Sequence, residues 1–364
     1  MKKILVSQCL YGDKPVRYDG KTKEERDPRF IRWKEENRLI TVCPEVDGGL
    51  PVPRTDAQRI GDQVITRDGR DVTKEYRRGA EIALERALQE EVLCAVLKEK
   101  SPSCGSNKVY DGTFEGNLID GQGITVQLLR EAGVRVYSEE ELDLVEQMVT
   151  GRENIILTGM PACGKSVTGV VLAKSLQMNF LDTDLLIQEA AGKSLQEIIN
   201  EDGMEAFKAL EEQVLCGVSA SHTVIATGGS AVYYPKAMEH LKKLGRIVYI
   251  QVSVETILQR LNNITTRGVA MSKDQGIREL YEERRPLYET YAEVTVGSGS
   301  GSMEDTVADI IDEVSRLRKS SRYRVLKNKK AMIQKRISGC VLRHGFSFIL
   351  MTESVLSRIL EWCR

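Results

Sequence analysis

The chain has 364 residues, which is enough for two domains with cores of their own and a tail. Its 52 lysines and arginines nearly cancel its 53 aspartates and glutamates, and a net charge of −1 argues against a general affinity for nucleic acid or membrane surfaces. Its eight cysteines lack the dense spacing of a secreted disulfide scaffold, and no apolar run approaches the roughly 20 residues of a membrane span, so we expect a cytoplasmic protein that acts on small molecules.

The first part of the chain, residues 1–149, alternates short β-branched runs with amphipathic stretches. This alternation predicts a layered α/β domain with a mostly parallel sheet. The predicted strands are residues 3–6, 39–42, 94–97 and 134–137, and the predicted helices are residues 74–91 and 124–132.

Three predicted strands are each followed by a segment that contains a cysteine: Cys9, Cys43 and Cys104. Loops after parallel strands converge on one edge of the sheet, so the three thiols are expected to meet there. Three thiolates from separate loops suit an iron–sulfur cluster or zinc, with one coordination position left open for substrate. The alternative is that these are ordinary core cysteines, because no CxxC pair supports a metal site.

The sequence around these cysteines resembles a specific family. Residues 7–12, 43–54, 97–105 and 110–114 are similar to the family long catalogued as a domain of unknown function, DUF523, which includes thiouracil desulfidases. The resemblance implies that Cys9, Cys43 and Cys104 hold a [4Fe–4S] cluster, whose fourth iron captures the sulfur of a thiocarbonyl. We place proton handling on Glu45 and Ser101, with an ion pair from Glu45 to Arg54 and a turn at Ser101 as the alternatives.

A second domain is predicted at residues 152–315, where a strand, a glycine-bounded turn and a helix surround the motif at residues 159–166, GMPACGKS. Backbone amides of such a P-loop cradle phosphate, Lys165 reaches the β- and γ-phosphates, and Ser166 ligates Mg²⁺. The sequence therefore predicts an ATP site that includes Gly159, Ala162, Cys163 and Gly164. A further strand, which runs into a glycine turn within residues 223–230, and another at residues 246–250 predict a doubly wound parallel sheet, with helices at residues 195–220 and 235–244.

Asp182 and Asp184 follow the next apolar run. Residues 180–184 are predicted to form a strand that ends in these two carboxylates, so their side chains point the same way, into the cleft between nucleotide and acceptor. One carboxylate can then hold Mg²⁺ through water while the other meets the acceptor hydroxyl.

These motifs are followed by Phe-Lys-x-x-Glu at residues 207–211, a glycine turn at residues 228–229, and arginines at positions 260, 267 and 284. Their order resembles shikimate kinase from about residue 153 to residue 314. The resemblance implies that Asp182 serves the metal and that Asp184 orients or deprotonates the acceptor hydroxyl. It also places Gly228, Gly229 and Arg284 at the acceptor, Arg260 beside the nucleotide, and Arg267 on a lid over the phosphates.

Several positions depart from that pattern. Lys208 stands where the family has an arginine that grips the substrate carboxylate, and a lysine cannot copy a bidentate grip. Ser230 replaces the third glycine of the turn, Ala162 takes a glycine place in the P-loop, and residues 268–270 differ from the family's lid. Most of these changes concern the acceptor pocket or the lid, so kinase chemistry is better supported than shikimate as acceptor.

The tail, residues 316–364, begins with a basic run that offers a place for nucleic acid to bind, or else is a disordered extension. The sequence as a whole predicts an α/β protein in which a desulfidase-like domain precedes a shikimate-kinase-like domain. The alternative function is a metal-stabilised regulatory module attached to a nucleotide sensor or to a different small-molecule kinase.

Overall fold

The computed structural model describes residues 2–261, 276–298 and 302–319. These residues form two compact units, one that ends at Glu139 and one that begins at Glu140. Each unit is an α/β fold around a parallel sheet, which confirms the predicted fold class. Arg267, the lid residues 268–270 and tail residues 320–364 lie outside the described residues.

The first unit is built on a four-stranded parallel sheet in the order β2-β1-β5-β8. Its strands are β1 (Ile4–Ser7), β2 (Leu39–Val42), β3 (Ala57–Ile60), β4 (Gln63–Thr66), β5 (Cys94–Leu97), β6 (Lys108–Tyr110), β7 (Leu118–Asp120) and β8 (Val136–Ser138). Its helices are α1 (Gln8–Tyr11), α2 (Pro28–Glu35), α3 (Pro44–Asp47), α4 (Thr73–Gln89) and α5 (Ile124–Glu131). The pairs β3–β4 and β6–β7 form antiparallel hairpins, which the sequence analysis did not predict.

Helix α4 covers this sheet and also fixes the position of α3. Its alanines Ala80, Ala83 and Ala87 recur at helical spacing and are buried, as the amphipathic pattern predicts. A Cβ added at Gly79 would lie 1.7 Å from the carbonyl oxygen of Pro44, so only glycine permits this approach of α4 to α3. The segment that follows Cys43 is thereby held against the main helix of the unit.

The second unit is built on a five-stranded parallel sheet in the order β10-β11-β9-β12-β13. Its strands are β9 (Asn154–Thr158), β10 (Asn179–Asp182), β11 (Thr223–Ala226), β12 (Gly245–Gln251) and β13 (Val294–Gly297). Its helices are α6 (Leu142–Thr150), α7 (Lys165–Leu176), α8 (Thr183–Ala191), α9 (Leu195–Glu197), α10 (Met204–Gly217), α11 (Pro235–Leu244), α12 (Val254–Leu261), α13 (Ile277–Tyr291) and α14 (Met303–Lys319). Strands β9, β11 and β12 are almost completely buried and carry the core of the unit.

The single helix predicted over residues 195–220 is wrong. The chain forms α9, a π-helical turn at Ile198–Asp202 and then α10. Gly203 separates the last two with a φ of +90°, a conformation that an L side chain rarely adopts and that ends a helix. The interruption allows α10 to begin afresh, and α10 carries Phe207 and Glu211 on its buried face.

Among the described residues, no helix is both long enough and apolar enough to cross a membrane.

Candidate active sites

The first unit brings its three sequence-predicted cysteines to one cavity of about 440 Å³. Cys9 lies in α1 directly after β1, Cys43 follows β2, and Cys104 lies in the segment after β5. The three strands are neighbours in the parallel sheet, so their carboxyl ends open on the same edge. Cys94, by contrast, is buried within β5 and does not line the cavity.

Burial governs the protonation of these thiols. Burial is the main reason why the pKa of Cys9 is raised to about 12, with the neighbouring Cys43 adding to the shift. Burial likewise raises the pKa of Cys43 to about 11, and it raises the pKa of Cys104 further, with Cys9 and Cys43 both contributing. Three mutually interacting, desolvated thiols require a cation to become thiolates together, which is what a metal centre provides.

The donor set suits a metal centre that is held by soft sulfur ligands. A polynuclear iron–sulfur cluster binds each thiolate through a separate iron, so its ligands need not surround one point. Three cysteines spaced around a shared cavity therefore suit such a cluster.

Glu45 and Ser101 meet beside the cysteines. Ser101 Oγ donates a hydrogen bond to Glu45 Oε1 at 3.2 Å, and it accepts from the backbone amides of Ser103 and Cys104, both at 3.1 Å. The other carboxylate oxygen of Glu45 accepts from the Arg54 guanidinium, with Nε at 3.0 Å. The ion pair and the turn considered as alternatives both exist, and the two residues still form one hydrogen-bonded pair at the cavity.

The cavity also has an aromatic and basic wall that the sequence analysis missed. Tyr18, Tyr110 and Phe114 line it, and the Arg67 guanidinium lies 4.9 Å from the centre of the Phe114 ring. Gln58 Oε1 accepts from the backbone amides of Gly112, at 2.9 Å, and Phe114, at 3.2 Å. The unpredicted hairpins carry most of this wall, and no local spacing in the sequence points to it.

The second unit folds its P-loop as predicted between β9 and α7. Lys165 is 9 % exposed, and its Nζ donates to the carbonyl oxygens of Gly159 and Met160, both at 2.9 Å. Gly164 has a φ of +103°, and Gly159 has a φ of +149°, where an added Cβ would lie 2.7 Å from the carbonyl oxygen of Ile250. The loop therefore needs glycine at both positions, and Lys165 is tethered over it.

Arg260 supports this loop from outside. Its guanidinium donates to the carbonyl oxygens of Ala162 and Cys163, both at 3.2 Å. The Cys163 side chain is buried, with Sγ 3.8 Å from Lys165 Nζ. Neither Arg260 nor Cys163 lines the cavity described next, and both contact the P-loop itself.

A cavity of about 420 Å³ joins the P-loop to the predicted acceptor residues. Ser166 Oγ donates to Asp182 Oδ2 at 2.6 Å, which places the two predicted Mg²⁺ ligands in direct contact. The predicted site residues that line this cavity are Ala162, Gly164, Lys165, Ser166, Asp182, Asp184, Gly228, Gly229 and Arg284. Nucleotide-side and acceptor-side residues thus share one space.

The predicted geometry of the Asp-x-Asp pair is wrong, although both residues reach the cavity. Strand β10 ends at Asp182 and α8 begins at Thr183, so the two aspartates do not alternate along a strand. Asp182 is instead the N-cap of α8, and its Oδ1 accepts from the Asp184 backbone amide at 3.0 Å. Asp184 lies in the first turn, where a negative charge interacts favourably with the helix dipole.

Lys208 is not brought into the cavity. Its ammonium pairs with Glu205 at 2.8 Å on the surface of α10, and its side chain is 46 % exposed. Arg284 is 1 % exposed and lines the cavity, where its Nε donates to the hydroxyl of Tyr233 at 3.1 Å and its guanidinium lies over the Tyr233 ring. Among the described residues, the buried cation at the acceptor end is therefore Arg284.

Glu211 is a cavity residue to which the sequence analysis gave no role. It is 1 % exposed, and its carboxylate accepts from Ser230 Oγ at 2.7 Å and from the Tyr234 hydroxyl at 2.8 Å. Burial raises its pKa against the lowering effect of these two donors, and the nearby Asp184 raises it further. In the sequence, the replacement of glycine by Ser230 indicated such a residue, because a buried hydroxyl needs a hydrogen-bond partner.

Two family models match the chain in separate stretches. Residues 4–141 match 2-thiouracil desulfurase, and residues 161–315 match shikimate kinase. YbbK of Bacillus subtilis, described as uncharacterised, is 40 % identical over 150 residues, which are 38 % of this chain and 97 % of that protein. A shikimate kinase of Caldanaerobacter subterraneus is 35 % identical over 162 residues, which are 44 % of this chain and 94 % of that enzyme.

The chain joins a 2-thiouracil desulfurase family domain to a shikimate kinase family domain. Its second unit is thus a kinase of the small-molecule class. Two solved structures are similar to separate parts of the chain. The [4Fe-4S]-dependent thiouracil desulfidase TudS is 46 % identical, covering 41 % of this chain and 99 % of that one, with a TM-score of 0.40. Shikimate kinase from Acinetobacter baumannii in complex with shikimate is 32 % identical, covering 45 % and 94 %, with a TM-score of 0.43.

Proposed function

We propose that this desulfurase–kinase chain is a bifunctional enzyme. Its second unit transfers a phosphoryl group from ATP to a small hydroxy acid, with shikimate and shikimate 3-phosphate as the proposed substrate and product. Its first unit removes sulfur from a thiocarbonyl compound. The observation that carries the proposal is that each unit gathers its chemically required side chains, from separate loops, around one cavity.

In the kinase unit, the P-loop amides and Lys165 bind the phosphates of ATP, and Ser166 and Asp182 hold Mg²⁺. Nucleotide must draw Lys165 Nζ away from the two carbonyl oxygens to which it donates in the described structure. Lys165 then neutralises charge that spreads over the transferring group, and Mg²⁺, held by Ser166 and Asp182 when bound, would supply further positive charge there. Arg260 supports the loop through its hydrogen bonds to the carbonyl oxygens of Ala162 and Cys163.

Asp184 is the proposed base for the acceptor hydroxyl. It lines the cavity together with Lys165, and it sits close to Gly228, where an added Cβ would lie 3.0 Å from Asp184 Oδ1. The acceptor oxygen attacks the γ-phosphorus, the bond from that phosphorus to the β,γ-bridging oxygen breaks, and Asp184 takes the hydroxyl proton. Arg284 would bind the acceptor carboxylate against the glycine turn at Gly229.

In the desulfurase unit, Cys9, Cys43 and Cys104 are the proposed ligands of a [4Fe–4S] cluster, which when bound supplies a thiophilic iron with an open position for substrate sulfur. Glu45 handles the proton of the attacking water, and Ser101 orients Glu45 through the hydrogen bond to Oε1. The reaction balances as a thiocarbonyl plus water giving a carbonyl plus hydrogen sulfide. Arg54 keeps the Glu45 carboxylate aimed at the cavity.

Each half has a direct test. Full-length protein purified without oxygen should contain about four irons and four sulfides per chain and absorb broadly in the visible range, whereas zinc would give no colour. When thiolated nucleobases are screened, the protein should release hydrogen sulfide from one class of them. ADP release from ATP should rise on adding shikimate. A colourless, iron-free protein would contradict the first activity, and ADP release that responds to no hydroxy acid would contradict the second.

A further inference from the structure

The Cys104 segment after β5 is organised around a buried carboxylate that has no assigned role. Glu99 is 4 % exposed and lines the cavity of the first unit. Its backbone amide donates to Glu139 Oε2 at 2.8 Å, which fixes Glu99 two residues after the end of β5. The segment then turns through Cys104 and returns to Glu99.

The carboxylate of Glu99 collects hydrogen bonds from both ends of this turn. Oε1 accepts from four backbone amides, those of Lys100 at 3.3 Å, Ser106 at 3.2 Å, Asn107 at 3.1 Å and Lys108 at 2.9 Å. Oε2 accepts from Ser106 Oγ at 2.8 Å and Asn107 Nδ2 at 3.3 Å. Without this acceptor, the buried amide of Ser106 and the partly buried amides beside it would favour an opened segment that exposes them to water.

Other contacts also hold the two sides of this turn, and they leave the return to the end of β5 to the Glu99 carboxylate. Ser103 is fixed against α5, where its Oγ lies 2.8 Å from Thr125 Oγ1. On the other side, Gly105 donates to the Ser101 carbonyl oxygen at 2.8 Å, and the carbonyl oxygens of Gly105 and Asn107 accept from the amides of Gly123, at 2.8 Å, and Gly121, at 3.0 Å. Cys104 thus lies between a side fixed to α5 and a side that the Glu99 carboxylate ties back to the end of β5.

We propose that Glu99 is a positioning residue for the proposed cluster ligand Cys104. Its carboxylate closes the Cys104 segment and holds the thiol at the cavity in the absence of any cluster. The inference rests on the proposed function, because only that function makes Cys104 a cluster ligand. The closure of the segment, however, is a property of the metal-free chain. A local measurement on the thiol therefore separates the two.

The experiment compares alkylation of cysteines in the full-length, metal-free protein without oxygen. Iodoacetamide is the probe, and peptide mass spectrometry gives the rate at Cys104 relative to Cys9 and Cys43. Glu99→Ala should raise the Cys104 rate about tenfold, the effect of losing a buried hydrogen-bond acceptor on a local opening. The rates at Cys9 and Cys43 should stay within about twofold of wild type, since a general loss of structure would raise all three.

Two conservative variants separate the effect of the length of the Glu99 side chain from the effect of its charge. Glu99→Gln keeps the length and one acceptor oxygen, so its Cys104 rate should lie near that of wild type. Glu99→Asp keeps the charge but is one methylene too short to meet all four amides, so it should label faster than Glu99→Gln. Glu81→Ala, at an exposed position on α4, is the matched control and should label as wild type does.

The outcomes are distinct. If Glu99→Ala and Glu99→Asp label at the wild-type rate, the positioning role is overturned; if Glu99→Ala does not fold, Glu99→Asp alone decides. After reconstitution with iron and sulfide, Glu99→Ala should hold less iron per chain and show a weaker visible band than wild type. If wild type itself takes up no iron while Cys104 still labels faster in the variants, the cluster function fails and the positioning role stands.

Discussion

Ser101 Oγ donates a hydrogen bond to Glu45 Oε1 at 3.2 Å, although 56 residues separate the two side chains in sequence. The same Ser101 oxygen accepts from the amide of Cys104, so the proposed proton carrier and a proposed cluster ligand share one hydrogen-bonded turn. The placement of Glu45 is therefore coupled to the placement of the thiols.

Glu45→Gln should reduce hydrogen sulfide release about 10²- to 10⁴-fold, because an amide cannot take the proton of the attacking water. Iron content and the visible spectrum should stay as in wild type, since the substituted side chain has the same length and still reaches Ser101. Hydrogen sulfide assayed under anaerobic single-turnover conditions gives the rate. Equal rates for the variant and wild type would remove Glu45 from the mechanism.

Cys9→Ser should lose most of its iron and its colour, because a serine hydroxyl replaces a soft sulfur ligand at a cluster that has three protein ligands. Cys216→Ser is the control, since Cys216 is an exposed thiol on α10 of the other unit. Iron analysis and absorption spectra compare the two. Retention of a full iron complement in Cys9→Ser would show that Cys9 is not a ligand.

Arg284→Met should raise the KM for the hydroxy acid by about two orders of magnitude and leave the KM for ATP nearly unchanged. A buried cation that pairs with a carboxylate is worth about 2 to 5 kcal/mol when one partner is truncated. Lys208→Met should have a much smaller effect, because its ammonium pairs with Glu205 outside the cavity. Initial rates at varied concentrations of ATP and of the hydroxy acid give the KM values. An equal rise of the hydroxy acid KM in both variants would show that Lys208 also binds the acceptor.

Gly228→Ala should impair acceptor binding through crowding. The new Cβ would lie 2.6 Å from Glu211 Oε1 and 3.0 Å from Asp184 Oδ1, so one or both carboxylates must move. Gly217→Ala is the matched control, because an added Cβ at the end of α10 meets nothing within 4 Å. Nucleotide affinity, followed with a fluorescent ATP analogue, should be similar in both. A normal acceptor KM for Gly228→Ala would contradict the arrangement of the two carboxylates.

Ser230→Ala should destabilise the kinase unit in a pH-dependent way. Loss of one donor to the buried Glu211 carboxylate costs about 1 to 3 kcal/mol when that carboxylate is ionised. The raised pKa of Glu211 means that the folded state keeps its proton to higher pH than an exposed glutamate does. The Tm difference between variant and wild type should therefore be small below that pKa and grow as the pH rises through it.

Thermal unfolding followed from pH 4 to pH 8 measures this difference. Asp184 also raises the pKa of Glu211, and Arg284 lowers it. Both residues remain in every variant. Ser230→Thr, which keeps the hydroxyl donor, is therefore the control in the same experiment. A Tm difference that does not change with pH would mean that Ser230 acts through packing rather than through the Glu211 carboxylate.

Local patterns in the sequence determined much of this protein. The strand–turn–helix context at residues 159–166 required a P-loop, because glycine torsions and the lysine position are local requirements, and Gly159 and Gly164 have the expected positive φ. Residues 39–42, 94–97 and 235–244 formed the predicted elements within a residue, since hydrophobic period and proline at a helix start are also local. The convergence of Cys9, Cys43 and Cys104 followed from parallel-sheet topology.

Only the tertiary structure decided which side chains reach a site. Lys208 has glutamates one turn away on α10 in both directions, and it pairs with Glu205 on the exposed face. Glu211 instead points inward and accepts from Ser230 and Tyr234. Asp182 became a helix cap because the chain turned into α8 two residues earlier than the strand pattern indicated. The four amides around Glu99 also meet only when the segment closes. Such choices depend on burial and on partners distant in sequence, and no local period encodes them.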